Sequence, residues 1–261
     1  MVSNIPLPEN ISSDAFRKLL DRYPTLIESI SNRKSSKPGQ KTLVELDEFR
    51  YHDATKLFSS KSPKQQMSHD DVKILVDWKL RHGKFRPTLM KLVSSNDAEA
   101  VKETVENAMR AYWKSPDANA ALGTISKLKG IGPATASLLL SVHDPERVIF
   151  FSDEAFWWLS CSGKQTPIKY NAKEYQKLND CAHALVKRLG VSATDVEKVA
   201  YVVMKDEPLP AAEGDTTLTP SAAKPAIGDV KKAGTKRKEK PEYEDVPDSS
   251  LRRSKRRQAG R

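Results

Sequence analysis

Apolar residues recur at helical spacing along most of the chain, and the stripes are clearest after residue 67. In SHDDVKILVDWKL, Val72, Leu75, Val76 and Leu80 share one face, behind Ser68 as an N-cap and acids in the first turn. Gly83 stops that helix, and RPTLMKLV restarts with Pro87 at a first-turn position. NDAEAVKETVENAMRAYW places Val101, Val105, Ala108, Met109 and Tyr112 on one stripe. SPDANAALGTISKLK opens on Ser115 and Pro116 and carries Leu122, Ile125 and Leu128. A hairpin, LKGIGP, leads into the apolar ATASLLLSV. A short β-like run, RVIFF, comes next, then SDEAFWWLS. The stretch NAKEYQKLNDCAHALVKRLG is a helix with Tyr175, Leu178, Ala182, Leu185 and Leu189 inward and Gly190 at its end. SATDVEKVAYVVMK sets Ser192 and Asp195 as a capping box ahead of Val196, Val199, Ala200 and Val203.

Upstream the pattern weakens. SSDAFRKLLDRYPTLIESI has short helical character broken at Pro24, and SNRKSSKPGQK is a linker without an apolar anchor. TLVELDEFRYHDATKLF has no single period and reads as a short strand or irregular entry followed by a turn of helix. The pattern predicts three parts. Residues 1–42 are an N-terminal helical segment and Ser/Lys-rich linker, and residues 43–206 an all-α domain of short-looped, neighbour-packed helices. Residues 207–261, poor in apolar side chains, are a disordered basic tail.

Charge adds a partner argument. The chain carries a net charge of +10. The tail from Glu207 holds 13 basic and 9 acidic residues, so +6 of the excess belongs to the part that folds. Both parts therefore favour a polyanion. The tail clusters Lys236, Arg237, Lys238 and Arg252, Arg253, Lys255, Arg256, Arg257 read as nuclear localisation signals for an import receptor, or as nonspecific nucleic-acid arms. Two cysteines, Cys161 and Cys181, make no disulfide framework and cannot ligate an iron–sulfur cluster. Five scattered histidines make no metal spacing with them, so neither metal nor cofactor is expected. No apolar run suits a membrane span, and MVSNIPLPEN has no signal-peptide core, so no secretory leader is expected.

The stretch LKGIGPATASLLL, residues 128 to 140, carries the chemistry. A Walker loop needs a Gly-Lys-Ser/Thr that is absent. A dinucleotide fingerprint needs a preceding strand and a third glycine, where Thr135 stands. What fits is helix, tight hairpin, helix. Gly130 and Gly132 let the backbone turn and approach a phosphate, Pro133 starts the second helix, and the unpaired N–H groups of that helix face the anion. Ile131 plugs between the helices and Ala136 permits close packing. The bland alternative makes Gly130 a helix cap and Gly132 a turn glycine with nothing bound.

LKGIGPATA resembles the helix-hairpin-helix of the endonuclease III-like DNA glycosylase superfamily. A second mark agrees: an aspartate near the start of the next helix, here Asp153 in VIFFSDEAFWWL, 19 positions after Ala134. The segment DWKLRHGKFRP, joined to this hairpin, is similar to one in uncharacterised eukaryotic proteins. The resemblance implies a helix-hairpin-helix glycosylase-like fold with DNA as partner. Gly130, Ile131 and Gly132 would supply backbone amides to the phosphate beside an extruded nucleotide, assisted by Lys127 and Lys129. Asp153 would be the catalytic carboxylate that stabilises the cationic sugar or prepares water as the glycosidic bond breaks. Bifunctional members carry a Schiff-base lysine at the position of Ala134, so a monofunctional enzyme without lyase activity is implied.

Each candidate has a plainer explanation beside it. Behind Ser152, Asp153 and Glu154 are also ordinary first-turn acids, with Glu154 the fallback carboxylate. Lys79, Arg81, Lys84 and Arg86 are either a solvated helix end or additional phosphate contacts, with Trp78 and Phe85 assigned to packing. Trp157 and Trp158 are candidate pocket residues, of which one can stack on a base. Two functions follow: a nuclear glycosylase removing a damaged or mismatched base, or a non-enzymatic helix-hairpin-helix module for DNA or chromatin. A protein-interaction scaffold is the more distant third.

Overall fold

The computed structural model describes residues 5–205, apart from positions 35, 37, 62 and 64. The predicted basic tail and its candidate import signals lie outside the described residues. Within them the chain is all-α, with no strand. The helices are α1 (Ser13–Leu20), α2 (Tyr23–Arg33), α3 (Leu43–Glu48), α4 (Ala54–Phe58), α5 (His69–His82) and α6 (Leu89–Ser94). They continue as α7 (Ala98–Lys114), α8 (Ala118–Ile125), α9 (Pro133–His143), α10 (Asp153–Cys161), α11 (Ala172–Leu189) and α12 (Ala193–Lys205). None of the described helices is long and apolar enough to cross a membrane.

The predicted caps form where they were read. Ser68 accepts the Asp71 N–H while Asp71 accepts that of Ser68, closing a capping box on α5. Ser192 and Asp195 do the same for α12. Gly190 ends α11 at a positive φ of 67°. Such caps satisfy helix-terminal N–H and C=O groups that would otherwise be orphaned.

The boundary at residue 42 is not a division of the fold. Phe16, Tyr23, Ile27 and Ile30 are buried in the same core as the later helices. α1 and α2 both pack on α12, and α2 also on α3. Short amphipathic helices need a partner face, and α12 supplies it. The ambiguous segment after residue 42 is helical throughout. A π-helical turn, Phe49–Asp53, joins α3 to α4. That wider turn carries Arg50 into the interior, where its Nη2 donates to Ser141 Oγ at 2.7 Å and lies 3.4 Å from Glu197 Oε2. The guanidinium also rests over the Tyr51 and Trp78 rings, at 4.8 and 5.5 Å. This knot joins the π turn to α9 and α12.

RVIFF is not a strand. Residues 148–151 pass buried and without regular secondary structure between α9 and α10, with no ladder partner. Instead, Phe151 donates its N–H to Ser137 Oγ at 2.9 Å, and Ser137 donates to the Ala134 carbonyl at 3.1 Å. That bridge sets the start of α10 beside the start of α9.

Candidate functional site

The turn before α9 is held from behind. α8 ends at Ile125, one turn short of the predicted stripe through Leu128, and the chain turns through residues 126–132. Leu128 and Ile131 are buried. Asn96, in the loop after α6, accepts from Lys129 N–H at 2.8 Å and donates to Lys129 C=O at 2.9 Å. Gly130 has a φ of 76°, and a Cβ there would come 2.9 Å from Leu92 Cβ and 3.2 Å from the Val93 backbone nitrogen. This glycine is demanded by both conformation and packing.

Gly132 differs. Its φ is −97°, open to any residue, and a Cβ there would meet nothing within 4 Å. It is the N-cap of α9 and offers no side-chain cap. Among the described residues, the N–H groups of Gly130, Gly132 and Ala134 have no acceptor. Ile131, expected to be one of the donors, gives its N–H to the Leu128 carbonyl at 3.1 Å. The donor set is therefore Gly130, Gly132 and Ala134, at the positive end of an 11-residue helix.

These amides border a cleft of about 300 Å³. The hairpin and α9 line it with Gly130, Gly132, Pro133, Ala134 and Thr135. Lys79, His82, Gly83, Lys84, Arg86 and Leu89 line it from α5 and the loop into α6. Phe150, Phe151, Ser152, Asp153, Glu154 and Tyr170 complete it. Asp153 thus opens into the same cleft as the hairpin. It is half-buried in the first turn of α10, behind Ser152, whose Oγ accepts the Ala155 N–H at 3.1 Å.

Tyr170 was not read from the sequence. Its hydroxyl donates to Asp153 Oδ1 at 2.5 Å, and the Arg86 guanidinium lies over its ring at 5.6 Å. It adopts a left-handed φ of 53°, a strained conformation for an aromatic residue. Burial, then the Asp153 hydrogen bond and charge, push its hydroxyl far above the ordinary tyrosine range, so it remains a donor. No periodic signal marks a loop residue ahead of the Asn171 cap.

Of the four cations around the α5 terminus, Lys79, Lys84 and Arg86 line the cleft and Arg81 does not. Arg81 bonds Asp77 Oδ1 at 3.0 Å, Ser36 Oγ at 3.1 Å and the Lys41 carbonyl at 2.7 Å, holding the linker before α3. Burial lowers the Lys79 ammonium to about 8, with Arg86 pushing the same way and Asp153 opposing. Trp78, beside Lys79, is fully buried and donates to Asp47 Oδ1 at 2.9 Å. Tyr23 donates to the same oxygen at 2.9 Å. His82 stacks between Trp78 and Tyr201, with ring centroids 4.4 and 3.8 Å away. This packing fixes the end of α5.

Three expectations need correction. Phe85 is not packed: it is 69 % exposed, between Lys84 and Arg86. Neither Trp157 nor Trp158 lines the cleft. Trp158 is buried and donates to the Pro6 carbonyl, and Trp157 to that of Thr166, both at 2.8 Å. Glu154, the fallback carboxylate, is buried in an ion pair with Lys205 at 2.9 Å. Lys127 and Lys129 are exposed beside the hairpin without lining the cleft.

Set against family models, curated proteins and solved structures, the chain matches none. The residues alone carry the functional reading.

Proposed function

We propose that this chain is a DNA-binding protein of helix-hairpin-helix glycosylase-like fold that excises a damaged or mismatched base, with Asp153 as its carboxylate. One observation carries the reading: the free hairpin amides and Asp153 share one cleft. A backbone phosphate is held by the N–H groups of Gly130, Gly132 and Ala134. Lys84 and Arg86 add sequence-independent attraction. The open space at Gly132 leaves room for the sugar–phosphate strand to approach. A nucleotide turned out of the duplex enters the cleft, because a stacked base hides its glycosidic bond.

Asp153, oriented by Tyr170, stabilises the oxocarbenium-like sugar as the bond breaks or positions the attacking water. Ala134 supplies no amine, so the excision step uses water. The exposed Phe85 ring, flanked by cations, suits stacking against bases laid open by extrusion. The basic tail serves import-receptor binding and nuclear localisation.

A second reading is a non-enzymatic DNA or chromatin module. The position of Asp153 in the first turn of α10 favours it, since an acid there is stabilising without catalysis. Duplexes carrying uracil, alkylated, oxidised or mismatched bases separate the two. Release of a base that is lost in Asp153→Asn supports the enzyme. Binding without release across the panel makes the protein a module.

A further inference from the structure

We infer that the molecule carries a second ligand site, a pocket at the C-terminal end of α9 that takes a small aromatic acid whose ring bears an N–H or O–H donor. The site stands apart from the cleft and does not depend on the DNA reading. α9 meets the cleft with Pro133 and this pocket with His143. The two ends of that 11-residue helix lie about 15 Å apart at 1.5 Å per residue.

The pocket encloses about 310 Å³, at the small end of ligand-pocket sizes. One flank of α7 lines it with Lys102, Val105, Glu106, Met109, Arg110 and Trp113, at the three- and four-residue spacing of a helix face. Val105, Met109 and, ahead of α5, Met67 are buried and make much of the lining apolar. Trp113 is half-buried, its ring steadied edge-on by Tyr112 at 5.3 Å. An indole and two methionines suit a flat aromatic ring.

One polar group interrupts that lining. His143 is only 4 % exposed, and Phe58 backs its ring at 5.7 Å. Its Nδ1 lies 2.9 Å from the Leu139 carbonyl, which can only accept, so Nδ1 carries the ring proton. Burial keeps the ring neutral by lowering its pKa to about 4. Nε2 is therefore an acceptor, and among the described residues it has no donor. A buried acceptor without a partner is costly, and a donor on an entering ligand relieves that cost. Charge sets the ligand's sign. Among the described lining residues, Lys61, Lys102 and Arg110 stand against Glu106 alone. Arg110 and Glu106 pair with each other at 2.7 Å. Lys102 has a loose contact of 3.8 Å with the exposed Glu99, so Lys61 and Lys102 are left to meet an anion.

Indole-3-acetate, with a ring N–H and a carboxylate, is the probe. It is titrated into ¹⁵N-labelled full-length protein beside benzofuran-3-acetate, which lacks the donor, and 3-methylindole, which lacks the charge. Saturable shifts are expected at the Trp113 indole N–H and the His143 ring nitrogens, with a Kd on the order of 100 μM. The benzofuran should bind about tenfold more weakly, the loss of one buried hydrogen bond. The uncharged indole should bind about fivefold more weakly, and raised salt should close that gap. Lys102→Ala, a change at a partly exposed side chain, should narrow the preference for the acid about threefold. Absence of saturable shifts at millimolar probe, equal binding of the benzofuran, or shifts at cleft residues with Trp113 and His143 unmoved would each overturn the site, and none of them touches the DNA reading.

Discussion

On the proposed DNA-binding function, the two sides of the cleft would hold the same kind of ligand by different means. The hairpin side offers backbone. Gly130, Gly132 and Ala134 present amides that only substitution by proline removes, clamped from behind by Asn96 and Leu92. The α5 side offers side chains, Lys79, Lys84 and Arg86, on a helix end fixed by the buried contacts of Trp78 and His82. A backbone grip is specific in position and indifferent to sequence. A side-chain grip can be tuned in charge. Asp153 lies in the cleft with both and owes its placement to the Ser137 bridge.

Several changes should break this contrast or sharpen it. The largest effect is expected at the carboxylate. Asp153→Asn should lower base release on the order of a thousandfold while leaving duplex affinity within a few-fold, because the isosteric amide keeps the fold but loses the charge. Equal release by both proteins would remove chemistry from the cleft. The two glycines come next. Gly132→Val should weaken duplex binding about 30-fold while costing about 1 kcal/mol of stability or less, that of a poorer N-cap, since a Cβ there meets nothing within 4 Å in the free protein. Gly130→Ala should instead cost about 2 kcal/mol of stability, from its positive φ and the contact with Leu92. Parallel losses in both variants would erase the distinction between a ligand-facing and a fold-facing glycine.

Acidification probes the packing behind the α5 side. Burial pushes His82 well below the ordinary histidine range and His143 to about 4. Stability from both is fully present above the unfolded value of about 6.5 and is lost as pH falls through that window. Asp47 acts in the opposite sense: burial raises it to about 6, so its contribution is present at low pH and lost as pH rises through that value. His143 alone should cost about 2 kcal/mol by pH 5, and Asp47 should return about 1 kcal/mol. Urea unfolding at pH 7 and pH 5 should therefore show a net loss on acidification. Equal or greater stability at pH 5 contradicts the buried neutral histidines.

Smaller effects separate the cations. Lys84→Ala and Arg86→Ala should each lower the slope of log affinity against log salt by about 0.9, alike for all sequences. Arg81→Ala should leave that slope unchanged. Smallest of all, Trp157→Ala should leave duplex binding within about twofold, its ring being outside the cleft.

The sequence carried the local parts of this structure. The N-cap at Ser68, the capping box at Ser192 and the hairpin glycines are written in a few adjacent residues, and all appear where the pattern placed them. Parts decided by distant partners were not legible. Arg50 reaches Ser141, 91 positions on, and Glu197, 147 positions on. RVIFF has the composition of a buried strand, but helices surround it and no second strand comes to pair. Spacing also could not divide Lys79 from Arg81. The two positions are 200° apart on a helix, and only the packing of Trp78 decides which one meets the cleft. Tyr170 illustrates the limit most sharply: a strained loop residue leaves no period behind, yet it holds the candidate carboxylate.

The central claim is that the hairpin amides grip a nucleic-acid backbone within the cleft that contains Asp153. Titrating ¹⁵N-labelled full-length protein with an abasic-analogue duplex and following its amide resonances tests this most directly. The largest shifts should fall on Gly130, Gly132 and Ala134, with smaller ones at Lys84, Arg86 and Asp153 and little change at Trp157. Shifts confined to the basic tail, with the three hairpin amides unmoved at saturation, would contradict it.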